Sequence, residues 1–389
     1  MNMPIPLVDL TWQHSVIEPQ VLPTLLDVMR RGAFIGGAAV EEFEADFARY
    51  CEVTHCVGVA NGTDAIEIAL RALHIGPGDE VIVPTNTFVA TVEAVLRAGA
   101  IPRLVDCDDE YLLIDPRGVE AAISPRTRAV IAVHLYGQVA PMRDLAKIAE
   151  KHNLALIEDA AQCQGARLDG RRAGGLGHIA ATSFYPGKNL GAYGDGGAVL
   201  TDDEGLARYA RRLANHGSAR KYHHPDIGFN SRLDALQAVI LREKLRRLDD
   251  WNALRQEIAV YYSERLAEID EVRVPTVRPG NEHVWHLYVI RIPRRDSVLA
   301  ALNRAGIGAA VHYPIPVHLQ PGYVGLGYRA GDFPVAERAA TQILSLPIFP
   351  GMTTSQCDVV IDTLREALTV GETSPGDGSP LAHETGAVR

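Results

Sequence analysis

Lysine is scarce in this 389-residue chain: only five of its 38 basic side chains are lysines. Acidic residues outnumber basic ones 48 to 38, giving a formal net charge of −10. Without a basic excess, general nucleic-acid binding is excluded as a working function. Long hydrophobic runs are missing too. No stretch approaches the ~20 apolar residues of a membrane-spanning helix, and the first ten residues, MNMPIPLVDL, lack a leader pattern. The five cysteines, Cys51, Cys56, Cys107, Cys163 and Cys357, are odd in number and have no metal-ligand spacing. A disulfide framework is therefore not expected, and a reduced, cytoplasmic chain is. The 14 histidines, His223-His224 included, also show no ligand spacing, so no metal site is expected. Internal repeats are absent. VGVANGTDA (57–65) lacks the G-x-G-x-x-G spacing of a dinucleotide-binding turn, which argues against a dinucleotide-dependent oxidoreductase.

What the chain does contain is an alternation of short apolar runs and helical patterns. CVGVA (56–60) leads into TDAIEIALRAL, EVIVP (80–84) into FVATVEAVLRAGA, and AVIAVHL (129–135) into PMRDLAKIAEKHN, followed by LALIED (154–159). TSFY (182–185) and GAVLT (197–201) add two more runs. Continuous apolar runs, rather than alternating ones, are expected of strands buried on both faces of a parallel sheet. The pattern predicts an α/β fold with right-handed crossovers. From about 232 it changes to a long, nearly unbroken helix, with Leu233, Leu236, Val239 and Ile240 at helical spacing. A strand over 284–292, a helix near 296–305, a strand near 307–313 and helices near 334–344 and 353–368 are expected beyond it. The reading is a mostly parallel central sheet flanked by helices over 1–248, a smaller α+β domain over 249–370, and a mobile Gly/Ser/Pro/Thr-rich tail from 371.

Against this background one lysine stands in an unusual setting. Lys188 lies in SFYPGKNLGAYGDGGAV (183–199), among glycines and just before an apolar strand. Four features fall at the carboxyl ends of predicted strands, where open α/β sheets bind ligands. ANGTDA (60–65) puts Gly62 and Thr63 at a strand-to-helix turn, whose free N–H groups suit a phosphate. TNTFVAT (85–91) puts Phe88 just past a strand, IEDAAQ (157–162) ends a strand on Glu158 and Asp159, and Ser183 precedes Lys188. Singly, each has an ordinary reading: any βα turn holds Gly-Thr, a Glu-Asp pair suits a solvated turn, and a lone Phe suits a core. Their order is more specific. A phosphate turn, an aromatic, an Asp at a strand end, then Ser and Lys about 25 residues later match the parts that pyridoxal phosphate needs. A buried lysine gives up its proton more readily and can bond the aldehyde carbon. A carboxylate beside the pyridine nitrogen keeps the ring electron-withdrawing.

At this point the sequence resembles the DegT/DnrJ/EryC1/StrS family of sugar aminotransferases, fold type I enzymes of pyridoxal phosphate. The resemblance runs from IPLVDL to about Leu368 and rests on ANGTDAIEIAL, GDEVIVPTNTFVAT, HLYGQVAPM, LIEDAAQ, SFYPGKNLGAYGDGGA, GFNSRLDALQA and HYPIPVHLQ together. It implies that Lys188 carries the cofactor covalently and that Asp159 faces the pyridine nitrogen. It also implies Gln162 at the ring hydroxyl, Phe88 on the ring face, and Gly62, Thr63 and Ser183 at the phosphate. Asn230, in GFNSR, matches an asparagine that reaches the phosphate of a neighbouring subunit, so a homodimer with shared sites is expected. Tyr313, His318 and Gln320, in HYPIPVHLQ, match a segment near the sugar-nucleotide site.

The activity implied is transfer of an amino group, with glutamate the usual donor, to a nucleotide-linked ketosugar of the dTDP type. KYHHPDIGFNSRLDALQ and HYPIPVHLQ are more similar to the 3-ketosugar enzymes of antibiotic deoxysugar pathways than to the 4-ketosugar group. Family dehydratases have histidine in place of the lysine, so Lys188 favours transamination. Intact Lys188 and Asp159 argue against a non-catalytic sensor.

Overall fold

The structure is a computed structural model that describes residues 4–370; the tail expected to be mobile lies outside them. Two helices, α1 (Leu10–Arg31) and α2 (Ala38–Tyr50), open the chain. The strands that follow are β1 (His55–Val59), β2 (Glu80–Pro84), β3 (Ile101–Val105), β4 (Thr127–Val133) and β5 (Ala155–Asp159). Then come two short strands, β6 (Arg167–Leu168) and β7 (Arg171–Arg172), before β8 (Ile179–Ser183) and β9 (Gly197–Thr201). Between and after them run α3 (Gly62–Ala72), α4 (Val89–Arg97), α5 (Pro116–Ala122), α6 (Met142–His152) and α7 (Glu204–Ala214). The C-terminal part holds α8 (Ala235–Leu245), α9 (Leu248–Leu266), α10 (Arg295–Arg304), α11 (Pro334–Gln342) and α12 (Thr354–Val370). Its strands are β10 (Asn281–Glu282), β11 (Tyr288–Arg291) and β12 (Ile343–Leu346).

The main sheet has the order β1-β9-β8-β5-β4-β2-β3. Six of its strands run in one direction; β9 alone is antiparallel to both neighbours. Alternate strand residues explain the continuous apolar runs. Val57, Val81, Val83, Ile131, Ile157 and Val199 pack with α3, α4 and α7 on one face. Cys56, Ile82, Val130, Leu156, Ala180 and Leu200 pack on the other, against α1, α2 and α8 at one end and α5 and α6 at the other. With both faces covered, both phases of the alternation are mostly apolar.

Several expected elements differ. TSFY proves to be the tail of a strand that starts at Ile179; Phe184 turns into a cluster with Phe43 and Phe47. The long helix is two, α8 and α9, with a break at Arg246–Arg247. No strand forms over 307–313; Ile307 and Ala310 make single bridges, and β12 pairs with β11 instead. That strand, ILSL, reads equally as the last turn of α11 because a short apolar run fits either state. Ile5 packs in the C-terminal core with Ile307, Leu302 and Val360. Among the described residues, no helix is long and apolar enough to cross a membrane.

Candidate active site

The parallel strands deliver their carboxyl ends to one edge of the sheet, where a cavity of about 500 Å³ opens. Its lining includes Gly62, Thr63, Phe88, Asp159, Gln162, Ser183, Lys188 and Tyr313, so eight residues expected from the sequence meet in one space.

At one side Asn61 caps α3, its Oδ1 accepting from the Asp64 N–H at 2.8 Å. That leaves the Gly62 and Thr63 N–H groups at the helix N-terminus without a hydrogen-bond partner among the described residues. Ser183, the last residue of β8, lies directly against them: a Cβ on Gly62 would sit 2.6 Å from the Ser183 Cβ. Only glycine fits there. Two free amides, a hydroxyl and the positive end of a helix form a cradle for an anion.

Across the cavity Asp159 ends β5, with 6% of its surface exposed. Its Oδ2 accepts from Thr91 Oγ1 at 2.8 Å and its Oδ1 from the Ala161 N–H at 3.2 Å. The neighbouring Glu158 points through the sheet to the other face. It accepts from Gly174, Leu176 and Gly177 N–H groups and pairs with His134 Nε2 at 2.9 Å. Burial alone would raise the Glu158 pKa, but His134 and these amides hold it below the usual carboxylate value. Of the two adjacent carboxylates, only Asp159 serves the cavity.

Lys188 stands between these features, its N–H closing a turn onto Tyr185 O at 2.8 Å. Loss of water around the amine lowers its pKa to about 8, against the pull of the Asp159 carboxylate toward the ammonium form. At pH 7 roughly a tenth of Lys188 is then the nucleophilic free amine, far more than a lysine at its ordinary 10.5 would offer.

The remaining walls are aromatic and polar. Gln162 Oε1 accepts from the Tyr136 N–H at 2.7 Å, and its Nε2 donates to Tyr313 Oη at 3.1 Å. The rings of Phe88 and Tyr313 stand 5.3 Å apart, and Phe88 is 51% exposed on the cavity side. His286 and His312 also line the space. Burial, then the Lys188 charge, holds His312 down at about 4 and His286 well below its ordinary value.

Three expected residues lie elsewhere. His318 is buried away from the cavity, with Thr85 Oγ1 2.8 Å from one ring nitrogen and Glu337 Oε1 3.0 Å from the other. Both its polar atoms are occupied, so it braces the fold. Gln320 donates to Ile315 O at 3.3 Å and does not reach the lining. Asn230 is exposed, in a single bridge to Asn215, while its neighbour Ser231 Oγ accepts from the Ala60 N–H at 3.0 Å. The sequence reading missed Thr91, Asp195, His286 and His312. Thr91, Asp195 and His312 sit in quoted blocks, Thr91 three residues after Phe88 and His312 beside Tyr313. His286, the one basic side chain in the apolar segment VWHLYVI, carried a usable signal.

Comparison with known proteins fits this geometry. The profile of the DegT/DnrJ/EryC1/StrS aminotransferase family matches residues 16–365. The chain belongs to that family. It is 48% identical to the erythromycin biosynthesis sensory transduction protein EryC1 of Saccharopolyspora erythraea, over 93% of this chain and 99% of that one. It is 46% identical to the dTDP-3-amino-3,4,6-trideoxy-alpha-D-glucose transaminase of Streptomyces venezuelae, over 93% of this chain and 96% of the other. The crystal structure of S. venezuelae DesV in complex with a ketimine intermediate superposes with a TM-score of 0.92 at 46% identity, covering 94% of this chain and 98% of that one. The central sheet and its flanking helices are therefore those of this aminotransferase fold.

Proposed function

We propose that the chain is a pyridoxal-phosphate aminotransferase that moves an amino group from glutamate to the C3 ketone of a dTDP-linked deoxysugar. The observation that carries this reading is one cavity holding the Lys188 amine, with a pKa of about 8, the fixed Asp159 carboxylate, and the anion cradle of Gly62, Thr63 and Ser183. The group fits these residues. The cradle offers unpaired N–H and O–H donors at the positive end of α3, and a cavity of about 500 Å³ falls within the usual range for small-molecule sites.

When bound, the cofactor supplies an electrophilic carbon and an electron-withdrawing ring. The chain's residues do the rest. Gly62, Thr63 and Ser183 hold the phosphate, and Asp159 offers its carboxylate to the ring nitrogen. Phe88 covers the ring face, and Gln162, held by Tyr136 and Tyr313, meets the ring hydroxyl. Lys188 would anchor the cofactor and, once freed, its amine would take the proton from the donor's α-carbon and, in the second half reaction, give one to C3 of the sugar. The choice of a 3-ketosugar is supported by the similarity to the S. venezuelae enzyme.

The working form is a homodimer. Asn230 lies outside its own chain's cavity, on a loop where Tyr222 and Ile227 are 86% and 97% exposed. A second copy that covers these side chains would bring Asn230 to its own phosphate cradle. The five unpaired, buried cysteines suit a reducing cytoplasm. The test is incubation with glutamate and either the 3-keto or the 4-keto dTDP-sugar, with products read by NMR. Amination of the 3-keto isomer supports the reading; amination of the 4-keto isomer alone, or of neither, overturns it.

A further inference from the structure

Three buried side-chain amides, Gln164, Asn189 and Asn252, join the segments that carry the cavity's working groups. Gln164 Nε2 donates to Ser183 O at 2.9 Å and lies 3.0 Å from Thr182 Oγ1 and 3.2 Å from Ala161 O. It thus spans the hydroxyl residue of the anion cradle and the residue whose N–H holds Asp159. Its backbone carbonyl accepts from Asn252 Nδ2 at 3.0 Å. Asn252 Oδ1 in turn accepts from Asn189 Nδ2 at 2.8 Å, and Asn189 directly follows Lys188. Asn189 Nδ2 also donates to Val284 O at 2.9 Å, which leaves Asn189 Oδ1 facing His286 Nδ1 at 3.1 Å. Gln164 O and Val284 O are carbonyls and can only accept. They fix the orientation of both asparagines without an assumed flip.

Asn252 is the member that belongs to neither segment. It comes from α9, whose Leu248 and Trp251 pack with α1, α2 and α8, and whose Ile258, Ala259, Tyr262 and Leu266 enter the C-terminal core. Room is kept for it beside the Asp159 segment. Gly165 has φ of 98°, and a Cβ there would lie 2.6 Å from Asn252 Nδ2. Gln164 Oε1 alone of the three amides' polar atoms is left without a partner among the described residues. A buried amide is costly unless paired, and once paired it permits one arrangement of its partners. Here those partners are the turn after Lys188 and the segment after Asp159.

We propose that Asn252 is a positioning residue for Lys188: from α9 it holds the lysine's turn and the segment behind Asp159 and Ser183 at one separation, so that the amine reaches the cofactor's carbon while ring and phosphate stay seated. This rests on the assignment of Lys188 as the residue that bonds the cofactor. Without Asn252 the seat survives, because Gln164 keeps its own bonds to Ser183 and Ala161. What is lost is the fixed distance from the seat to the lysine.

The test separates seating the cofactor from reaching it. Pyridoxine 5′-phosphate has an alcohol in place of the aldehyde of pyridoxal 5′-phosphate, so it can fill the site but cannot bond Lys188. The ratio of its Kd to that of pyridoxal 5′-phosphate, measured on apoprotein by calorimetry, reports the gain from the covalent bond. Wild type should show a gain and Lys188→Ala none. Asn252→Leu fills the space without hydrogen bonds. It should lose roughly ten- to hundred-fold of the gain, the usual cost of a misplaced reacting group, with affinity for pyridoxine 5′-phosphate unchanged. An unchanged gain would overturn the proposal, and so would equal weakening of both ligands, which is what a plain fold brace gives. Asn252→Asp decides the matter independently, should the leucine variant fail to fold. Its carboxylate cannot donate to Gln164 O; once protonated, its O–H can, while the other oxygen still accepts from Asn189. Burial raises the pKa of such a carboxyl, so the variant's gain relative to wild type at the same pH should rise as pH falls. A ratio flat with pH would contradict the positioning role. No gain in wild type would instead refute the assignment of Lys188, and this inference with it.

Discussion

Thr91 Oγ1 donates to Asp159 Oδ2 at 2.8 Å, joining the first turn of α4 to the last residue of β5. Thr87 Oγ1 lies 2.8 Å from the same Thr91 hydroxyl, so the carboxylate is braced by a short polar chain. Asp159→Asn should keep the lysine-bound cofactor and lose turnover by ~10²-fold or more, roughly 2.7 kcal/mol of barrier. Thr91→Val removes one bond to the carboxylate and leaves the charge, which the Ala161 N–H still holds, so a loss of about 1.5 kcal/mol in transition-state stabilisation, smaller than that of Asp159→Asn, is expected. Steady-state kinetics on both variants checks the order. A larger effect from Thr91→Val than from Asp159→Asn would mean that the carboxylate is not the working group.

The lowered pKa of Lys188 sets a pH signature. In the unfolded chain the amine titrates near its ordinary 10.5, and in the folded apoprotein near 8. Between those values the unfolded chain binds the proton that the folded chain has released, so stability rises with pH across that window. Lys188→Met removes the buried ammonium. The variant apoprotein should therefore be more stable than wild type below pH 8, with the gap closing as pH rises toward 10.5. Denaturant melts across that range measure it. A constant gap would place the lysine in ordinary solvent.

In the proposed dimer, Asn230 would connect the cofactor site to assembly. Asn230→Ala should lower phosphate affinity roughly ten- to hundred-fold, the equivalent of one charge-assisted hydrogen bond. Mixing Asn230→Ala with Lys188→Ala subunits creates one site with both defects and one with neither. Activity should return on mixing, once subunit exchange is verified by mass spectrometry. A monomer by light scattering, or no recovery after exchange, would restrict Asn230 to the turn before α8.

Asp109 ties the two parts of the chain together. Its carboxylate meets Arg291 and Arg338 at 2.9 Å and Arg273 at 3.3 Å. Partial burial works against the charge, but the guanidiniums of Arg338, Arg291 and Arg273 prevail and hold the pKa at about 2, below the ordinary 3.8. A depressed carboxylate stabilises the fold above its unfolded value, and that contribution is lost as pH falls through the folded one. Asp109→Asn should thus melt lower than wild type at neutral pH, with the difference shrinking as the pH falls from 3.8 toward 2. A difference that persists in acid would assign the loss to packing.

The sequence was most legible where burial on both sides of the sheet left no choice of residue. EVIVP and GAVLT coincide with β2 and β9 to the residue, since every side chain in them is buried. It was least legible at edges and in the N-terminal layer. In β3, Ile101 and Arg103 face solvent and Pro102 interrupts the pattern, as an edge strand allows. In α1, Pro19 and Pro23 lie inside the helix, and Leu22, Leu26 and Met29 are exposed, so its apolar stripe is blurred.

The site divides in the same way. Gly62, Asp159, Ser183 and Lys188 sit at strand ends or in the turns beside them, where topology alone points. Tyr313, by contrast, lies beyond the strand-and-turn pattern and came from a matched segment, and that segment also suggested His318, whose ring faces Thr85 and Glu337. Proximity in the chain does not say which way a side chain turns.

The most direct measurement of the central claim is covalent trapping. The purified protein, loaded with pyridoxal phosphate, should absorb visible light, and borohydride should abolish the band and fix the cofactor. Peptide mapping by mass spectrometry is expected to find it on Lys188 and on none of the other four lysines. Cofactor fixed on Lys147, Lys151, Lys221 or Lys244, or no trapped cofactor in a folded protein, would contradict the assignment.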